Sequence, residues 1–280
     1  MIKTKDIVQE LGYGLVYADI DSVFIKRRDP AAAAVTKTTS DYEQVLDILS
    51  EETGLSISVD CSYRFLVLLP LETDENIEAL KHYYGITQQG ELVARGIEIR
   101  RHDIPEFIKQ FQIGLLFTLF NCKDSAEVVS KGYENCLLLV TKAIDKVMTG
   151  EEIQQQDLII SKLIRQDIEK YKSLFPHVSA AIQLSISRVG EKHPSKGDII
   201  RYIYTNSIHS NPLCRVVPLE ILQKERMKQG TLNYYDKDKY KEMILDAAET
   251  VLKFLGFDRT VYGTQRNNRK KDEMVSGIDK

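Results

Sequence analysis

The sequence predicts an α+β fold: a partial antiparallel sheet with covering helices over residues 1–104, a mainly helical domain over 105–264, and a polar tail from 265 to 280. Two observations carry this reading. Before residue 104 the apolar residues fall in short β-branched and aromatic runs or alternate with polar ones, as strands do. After Asp103-Ile104-Pro105 they recur at helical spacing over long stretches, with Pro105 suited to a first turn.

Taken in order, Thr4 to Leu11 reads as a helix stopped by Gly12 and Gly14. Leu15-Val16-Tyr17 and Val23-Phe24-Ile25 read as two strands, and the five residues Ala18 to Ser22 suit a hairpin connection. Asp29-Pro30 breaks the second strand, and Ala31 to Ala34 opens a helix or loop. Ser40-Asp41 caps a helix from Tyr42 to about Glu52, ended by Gly54. Leu55 to Asp60 alternates strictly and predicts a half-buried strand. Tyr63 to Leu71 predicts another, and Gly85–Thr87 with Gly96–Ile99 a further pair around Gln88-Gln89-Gly90. Helices are expected over Glu106–Phe120, Ser125–Met148, Ile153–Phe175, Ser179–Val189 and Lys239–Leu255, interrupted by a β-like stretch at Asp198–Thr205.

With 280 residues, 43% hydrophobic and 28% charged, the chain has the composition of a globular protein of up to two domains. It contains no run of eighteen apolar residues and no basic leader before an apolar stretch, so neither a membrane span nor a secretion signal is expected. Cys61, Cys122, Cys136 and Cys214 are widely spaced and read as buried reduced thiols of a cytoplasmic protein. The net charge of −3 selects no partner, but basic residues cluster at Lys26-Arg27-Arg28, around Arg95 and Arg100-Arg101-His102, and at Arg266 to Lys271.

Asp19 and Asp21 stand at the tip of the expected hairpin. Two carboxylates that close repel unless a cation lies between them, and oxygen-only ligands favour Mg²⁺ or Mn²⁺. Three readings are open from these residues: a solvated turn, the Asp-x-Asp of a phosphatase of the haloacid dehalogenase type, and a polymerase hairpin. The phosphatase needs a loop after its motif and a second downstream acid. Here Val23 resumes a strand at once, and Gly197-Asp198 is followed by Tyr202 where that acid would stand.

Tyr17, Asp19, Asp21 and Ser22 resemble the Tyr-x-Asp-Thr-Asp-Ser hairpin of family B DNA polymerases, with Ile20 in place of Thr. Lys81-His82-Tyr83-Tyr84-Gly85 is similar to the family's Lys-Lys-x-Tyr motif, with His82 for the second Lys. Arg95-Gly96-Ile97-Glu98-Ile99-Arg100-Arg101-His102-Asp103 resembles the stretch leading into the thumb of archaeal members. Arg165, Tyr171-Lys172 and Pro176-His177-Val178, then Gly197-Asp198-Ile199-Ile200, follow in the family's order. The resemblance covers most of residues 4 to 262. It implies the C-terminal part of the palm over 1–104 and the thumb over 105–264.

That resemblance implies that Asp19 and Asp21 help bind two Mg²⁺ ions for nucleotidyl transfer to a primer, Asp21 as the stronger ligand, with Tyr17 and Ser22 in support. It implies contacts to primer–template DNA from Lys81, Tyr84, Arg95, Arg101, Arg165, Tyr171, Lys172 and His177, mostly to phosphates. On an alternating strand Arg95 and Arg101 would share a face opposite Arg100, so at least one of the three is expected to be structural, with Glu98 or Asp103 as a candidate partner. The family's third carboxylate and its helix for the incoming dNTP have no counterpart in this sequence. The expectation is therefore the small subunit of a split, nucleoid-associated archaeal polymerase, inactive without a larger subunit carrying the other palm motifs, fingers and exonuclease. A non-catalytic DNA-binding remnant stays open beside it, kept alive by Ile20 and His82.

Overall fold

A computed structural model describes residues 2–19, 22–28, 40–71, 78–187, 193–226 and 235–263. The expectations for Asp21, Asp29-Pro30, Ala31–Ala34 and the tail from 265 lie outside the described residues. The chain forms two compact units, divided between Arg95 and Gly96.

In the first unit, helix α1 (Ile2–Glu10) ends where Gly12 turns to φ +83°, the left-handed conformation that only glycine adopts without strain. Strands β1 (Tyr13–Ala18) and β2 (Val23–Arg27) form the expected antiparallel hairpin. Its register moves from Leu15↔Ile25 to Tyr17↔Phe24, so Val16 is the extra residue of a β-bulge. Helix α2 (Ser40–Thr53) follows, ended by Gly54. Tyr13, Val8 of α1, and Val45 and Leu49 of α2 make a small core, with Ile7, Ile25 and Ile57 packed at its margin. A second sheet has the order β3 (Tyr63–Pro70), β4 (Glu78–Thr87), β5 (Leu92–Arg95), with its tight turn at Gln88–Gly90.

Two expectations fail here. Leu55–Asp60 is not in a strand: its alternation is present, but the segment has no ladder partner among the described residues. The pair at Gly96–Ile99 also ends early. Gly96 has φ +70°, which takes the backbone out of the pleat, and Glu98–Arg100 is a 3₁₀ turn. Arg95 and Arg101 therefore do not lie on one continuous strand, and the expected shared face is absent.

The second unit packs helices α3 (Glu106–Phe120), α4 (Tyr133–Thr149) and, from the end of the unit, α7 (Lys237–Leu252) through Leu115, Leu116, Leu119, Val140, Ile144, Ile244 and Leu245, all buried. A helical turn and a π-turn (Val128–Gly132) lead into α4. In the π-turn Gly132 lies so close to the Leu119 carbonyl that an added Cβ would sit 2.7 Å from it. The Gln112 side chain is sealed inside: it donates to Glu98 (2.7 Å) and to the Ala247 carbonyl (3.1 Å), and accepts from the Ile99 N–H (3.0 Å). Thr250 donates to the same Glu98 carboxylate, so residues 98–99 are tied to both α3 and α7.

The remaining elements are β6 (Ile160–Leu163), α5 (Pro176–Ser187), β7 (Ile199–Tyr204), β8 (Val216–Pro218) and α6 (Leu219–Arg226). The three strands pair in the order β6-β7-β8, and α5 covers them through Ala180, Ala181 and Leu184. The helix expected over Ile153–Phe175 is absent. Its sequence instead makes two 3₁₀ turns (Gln155–Leu158, Ile168–Lys170) around β6. Ile160 pairs with Tyr202 and is buried, so a neighbouring strand overrides helical spacing in a β-branched stretch. Of the four free cysteines only Cys122 and Cys136 are buried; Cys61 is half-buried and Cys214 is exposed in a short turn between β7 and β8. Among the described residues no helix is long and apolar enough to cross a membrane.

Candidate active site

In the first unit, Asp19 follows directly on β1, and its backbone N–H donates to the Ser22 carbonyl at 2.8 Å. That bond continues the hairpin ladder to its last described pair, leaving only Ile20 and Asp21 of the connection. The Asp19 side chain is 13% exposed and lies 3.4 Å from the Lys81 ammonium. Lys81 belongs to a β4 segment where Glu78 to Tyr83 spans five steps opposite two on β3, from Pro70 to Leu68. The slack is taken up in part by Lys81 itself, which has φ +59°. Its N–H donates to the Tyr17 hydroxyl at 2.9 Å. Tyr17 thus fixes the backbone of the residue whose side chain reaches Asp19.

Tyr17 is buried because an aromatic cluster surrounds it. Phe24 meets it edge-on at 5.3 Å, Tyr83 lies 6.3 Å away, and Tyr63 stacks on Phe24 at 5.9 Å. The bulge at Val16 sits one residue before Tyr17, where an inserted residue re-aims the side chains that follow it. The His82 ring is exposed, with Nδ1 2.8 Å from the Leu80 carbonyl. Tyr84 is fully buried, so it supports the sheet and offers no surface for a duplex. Arg95 is exposed at the end of β5.

In the second unit, Arg101 is held by Asp103 through two hydrogen bonds of 3.0 and 3.2 Å, and Lys162 reaches the same carboxylate at 2.6 Å. Burial would raise the Asp103 carboxyl, but those donors outweigh it and hold the group well below the usual carboxylate range. The Arg165 N–H donates to the Tyr171 hydroxyl at 3.0 Å, while its guanidinium-bearing residue is exposed. Tyr171 meets the His177 ring edge-on at 5.6 Å, and Phe175 stacks on His177 at 5.9 Å. Burial, then the charges of Lys162 and Arg165, push the His177 imidazole below its ordinary value. His177 is buried, and these effects favour its neutral form. Lys172 is exposed beside Tyr171.

Arg165, Tyr171 and His177 thus come together, joined by two residues that the sequence did not single out: Lys162 and the half-exposed Phe175. Lys162 was missed because its strand reads as helix; Phe175 carries only the weak signal of an aromatic beside basic residues. Among the described residues no three His, Cys, Asp or Glu side chains gather in one place. Asp19 is an oxygen donor of the kind that hard divalent cations take, and among the described residues it belongs to no group of three or more such ligands.

The sequence model of DNA polymerase family B matches residues 2–262. A DNA polymerase of Archaeoglobus fulgidus is 27% identical over 262 residues, which cover 90% of this chain and 30% of that protein. DNA polymerase 2 of Aeropyrum pernix is 28% identical over 272 residues, covering 96% of this chain and 29% of that protein. The family B DNA polymerase structure from Pyrobaculum calidifontis has the same fold over 92% of this chain and 29% of its own, with a TM-score of 0.64 at 22% identity. This chain therefore spans about 30% of the length of the relatives it matches. It belongs to DNA polymerase family B.

Proposed function

We propose that this chain is the part of a family B DNA-directed DNA polymerase that supplies two metal-binding carboxylates and the thumb. The rest of the palm, the fingers and the exonuclease would come from a larger subunit, and template-directed dNTP addition would need both. The observation that supports this most is the family match over residues 2–262, which runs through the Asp19 hairpin and the Arg165–His177 cluster alike.

In this reading residues 1–104 are the C-terminal part of the palm and 105–264 the thumb. Asp19 and Asp21 would hold Mg²⁺, or Mn²⁺, together with a carboxylate from the larger subunit. The metal would supply charge neutralisation for the in-line transfer of a nucleotidyl group. This chain's own part is placement. Lys81 balances the Asp19 charge before substrate arrives, and Tyr17 and Ser22 hold the two ends of that pair. Arg95, Arg101, Arg165 and Lys172 would meet phosphates of primer–template DNA. Lys81 would also lie near the primer end, and Tyr171 and His177 would shape the surface beneath Arg165.

Primer extension tests the proposal. The chain is mixed with the remaining polymerase portion, Mg²⁺, primed template and dNTPs, and Asp21→Ala serves as the comparison. Extension by the wild-type mixture alone supports the reading. Normal extension by the Asp21→Ala mixture removes Asp21 as a ligand. Salt-dependent duplex binding with no extension under any divalent metal would favour the non-catalytic remnant instead.

A further inference from the structure

We infer that Phe175 is a stacking platform for an unpaired nucleobase, and that Arg165 and Lys172 meet the phosphates of the same strand. This assignment rests on the family reading above and adds to its duplex contacts a subsite for single-stranded DNA.

Phe175 stands in the second unit, one residue before α5, and is 50% exposed. A phenyl ring left that open forgoes much of the burial that is its usual contribution to folding. The ring is nonetheless held in place. His177 stacks on it at 5.9 Å with 19° between the planes, and Tyr171 meets it edge-on at 6.4 Å. Tyr171 and His177 meet each other edge-on at 5.6 Å, so the three rings brace one another, with the buried His177 as the base of the group. The backbone of Phe175 is fixed as well. Its N–H donates to the Ser173 carbonyl at 3.0 Å, and its carbonyl accepts from the Ser179 N–H at 2.8 Å. Pro176 after it restricts it to extended conformations. An aromatic ring braced by its neighbours yet half open to solvent is pre-organised, so a base that stacks on it costs the protein little ordering entropy.

The chemistry around the ring selects what stacks there. From residue 162 to 177, four Lys and Arg stand against two acids, Asp167 and Glu169. Asp167 is already answered by Lys170 at 2.7 Å. Arg165 and Lys172 are exposed, and both adjoin Tyr171: the Arg165 N–H donates to its hydroxyl, and Lys172 is the next residue in the chain. An exposed aromatic ring among excess cations is complementary to a base with its phosphates, because every base has a π-face and the backbone carries the opposite charge. Inside a duplex those faces are covered by neighbouring base pairs. The platform therefore takes a strand that has left the duplex.

Fluorescence of 2-aminopurine tests this on the full chain, which has no tryptophan to interfere. Duplexes carry a single-stranded 5′ or 3′ overhang with the analogue at successive positions, and a blunt duplex is the control. Stacking on Phe175 should quench the analogue and raise affinity for the overhang about ten-fold above that for the blunt duplex. Phe175→Leu, which keeps apolar bulk without a ring, should lose both effects, whereas Phe175→Tyr should keep both. Affinity for the blunt duplex and the thermal midpoint should stay unchanged in either variant. Quenching of either overhang that depends on the ring supports the inference, and the overhang that responds identifies the strand. Binding without quenching, quenching that persists in Phe175→Leu, or an equal loss of affinity for blunt and overhanging duplexes overturns it. Weaker association of Phe175→Leu with the remaining family B portion, with quenching unaltered, overturns it in favour of a protein contact. Primer extension by the wild-type chain mixed with that portion separates the two claims. Extension without ring-dependent quenching refutes the platform and leaves the polymerase reading standing; ring-dependent quenching without extension does the reverse.

Discussion

Asp19 and Lys81 lie 3.4 Å apart, and the backbone N–H of Lys81 is itself held by the hydroxyl of Tyr17, two residues before Asp19. One aromatic side chain therefore sets the distance between a carboxylate at the end of β1 and a cation 62 positions further along the chain. Lys81 occupies a left-handed backbone conformation that costs a non-glycine residue on the order of 1 kcal/mol. Its hydrogen bond to Tyr17 is the local interaction that offsets this.

Tyr17→Phe should therefore destabilise the first unit by about 0.5 to 1.5 kcal/mol, the usual net contribution of one hydrogen bond, here part-buried. Chemical denaturation followed by a signal from that unit reads it. A midpoint equal to wild type would show that Lys81 is held by something else.

Gly85 and Gly114 should respond to alanine with opposite signs. An added Cβ at Gly85 would sit 2.3 Å from the Phe65 carbonyl oxygen and 3.2 Å from the Leu66 Cα, both backbone atoms of the paired strand β3. Neither can move without opening the ladder, so Gly85→Ala should cost about 2 to 3 kcal/mol. Gly114 is inside α3, where an added Cβ meets only a Leu139 methyl at 3.7 Å. Gly114→Ala should stabilise the second unit by roughly 0.5 to 1 kcal/mol. Thermal melts of both variants decide.

His177 gives the second unit an acid-sensitive side. Its folded value is depressed by burial and by Lys162 and Arg165, so the unfolded chain takes up a proton first as pH falls. Its contribution is fully present above about pH 6.5, the ordinary histidine value, and is lost as pH falls through the depressed folded value. His177→Gln should flatten that part of the stability–pH curve. An unchanged curve would mean that the imidazole is not the group responsible.

Arg165 and Lys172 are exposed cations on the proposed duplex face, whereas Arg101 is bound to Asp103. Alanine at Arg165 or Lys172 should lower the slope of log affinity against log salt by about 0.9 each. Arg101→Ala should lower it less, since its charge is already shared with Asp103 in the free chain. Equal effects at all three would show that Asp103 releases Arg101 on binding DNA.

Much of this was legible in the sequence where local pattern and tertiary context agree. The β1–β2 hairpin and α3 with its start after Pro105 follow from residues close in the chain; which arginine pairs with Glu98 or Asp103 stays open in the sequence, and the structure gives Arg101 with Asp103. Legibility failed where a distant partner decides. Ile153–Phe175 has helical spacing but is drawn into a strand by β7, which hid the reach of Lys162 to Asp103. Leu55–Asp60 has strand spacing but no described partner to make it one. The left-handed turn at Lys81 has no sequence signal, because nothing in Leu80-Lys81-His82 marks a residue that Tyr17 will fix from 64 positions away. Tyr84 looked available to DNA, and only the three-stranded sheet shows that it is buried.

If Asp19 is a carboxylate of a nucleotidyl-transfer centre and not merely the partner of Lys81, nucleotide addition depends on it. Primer extension by the chain combined with the remaining polymerase portion measures this directly, with Asp19→Asn against wild type at saturating Mg²⁺. Asp19→Asn should lower the rate by about 10²-fold or more, with duplex binding and thermal stability close to wild type. A rate within two-fold of wild type would contradict it.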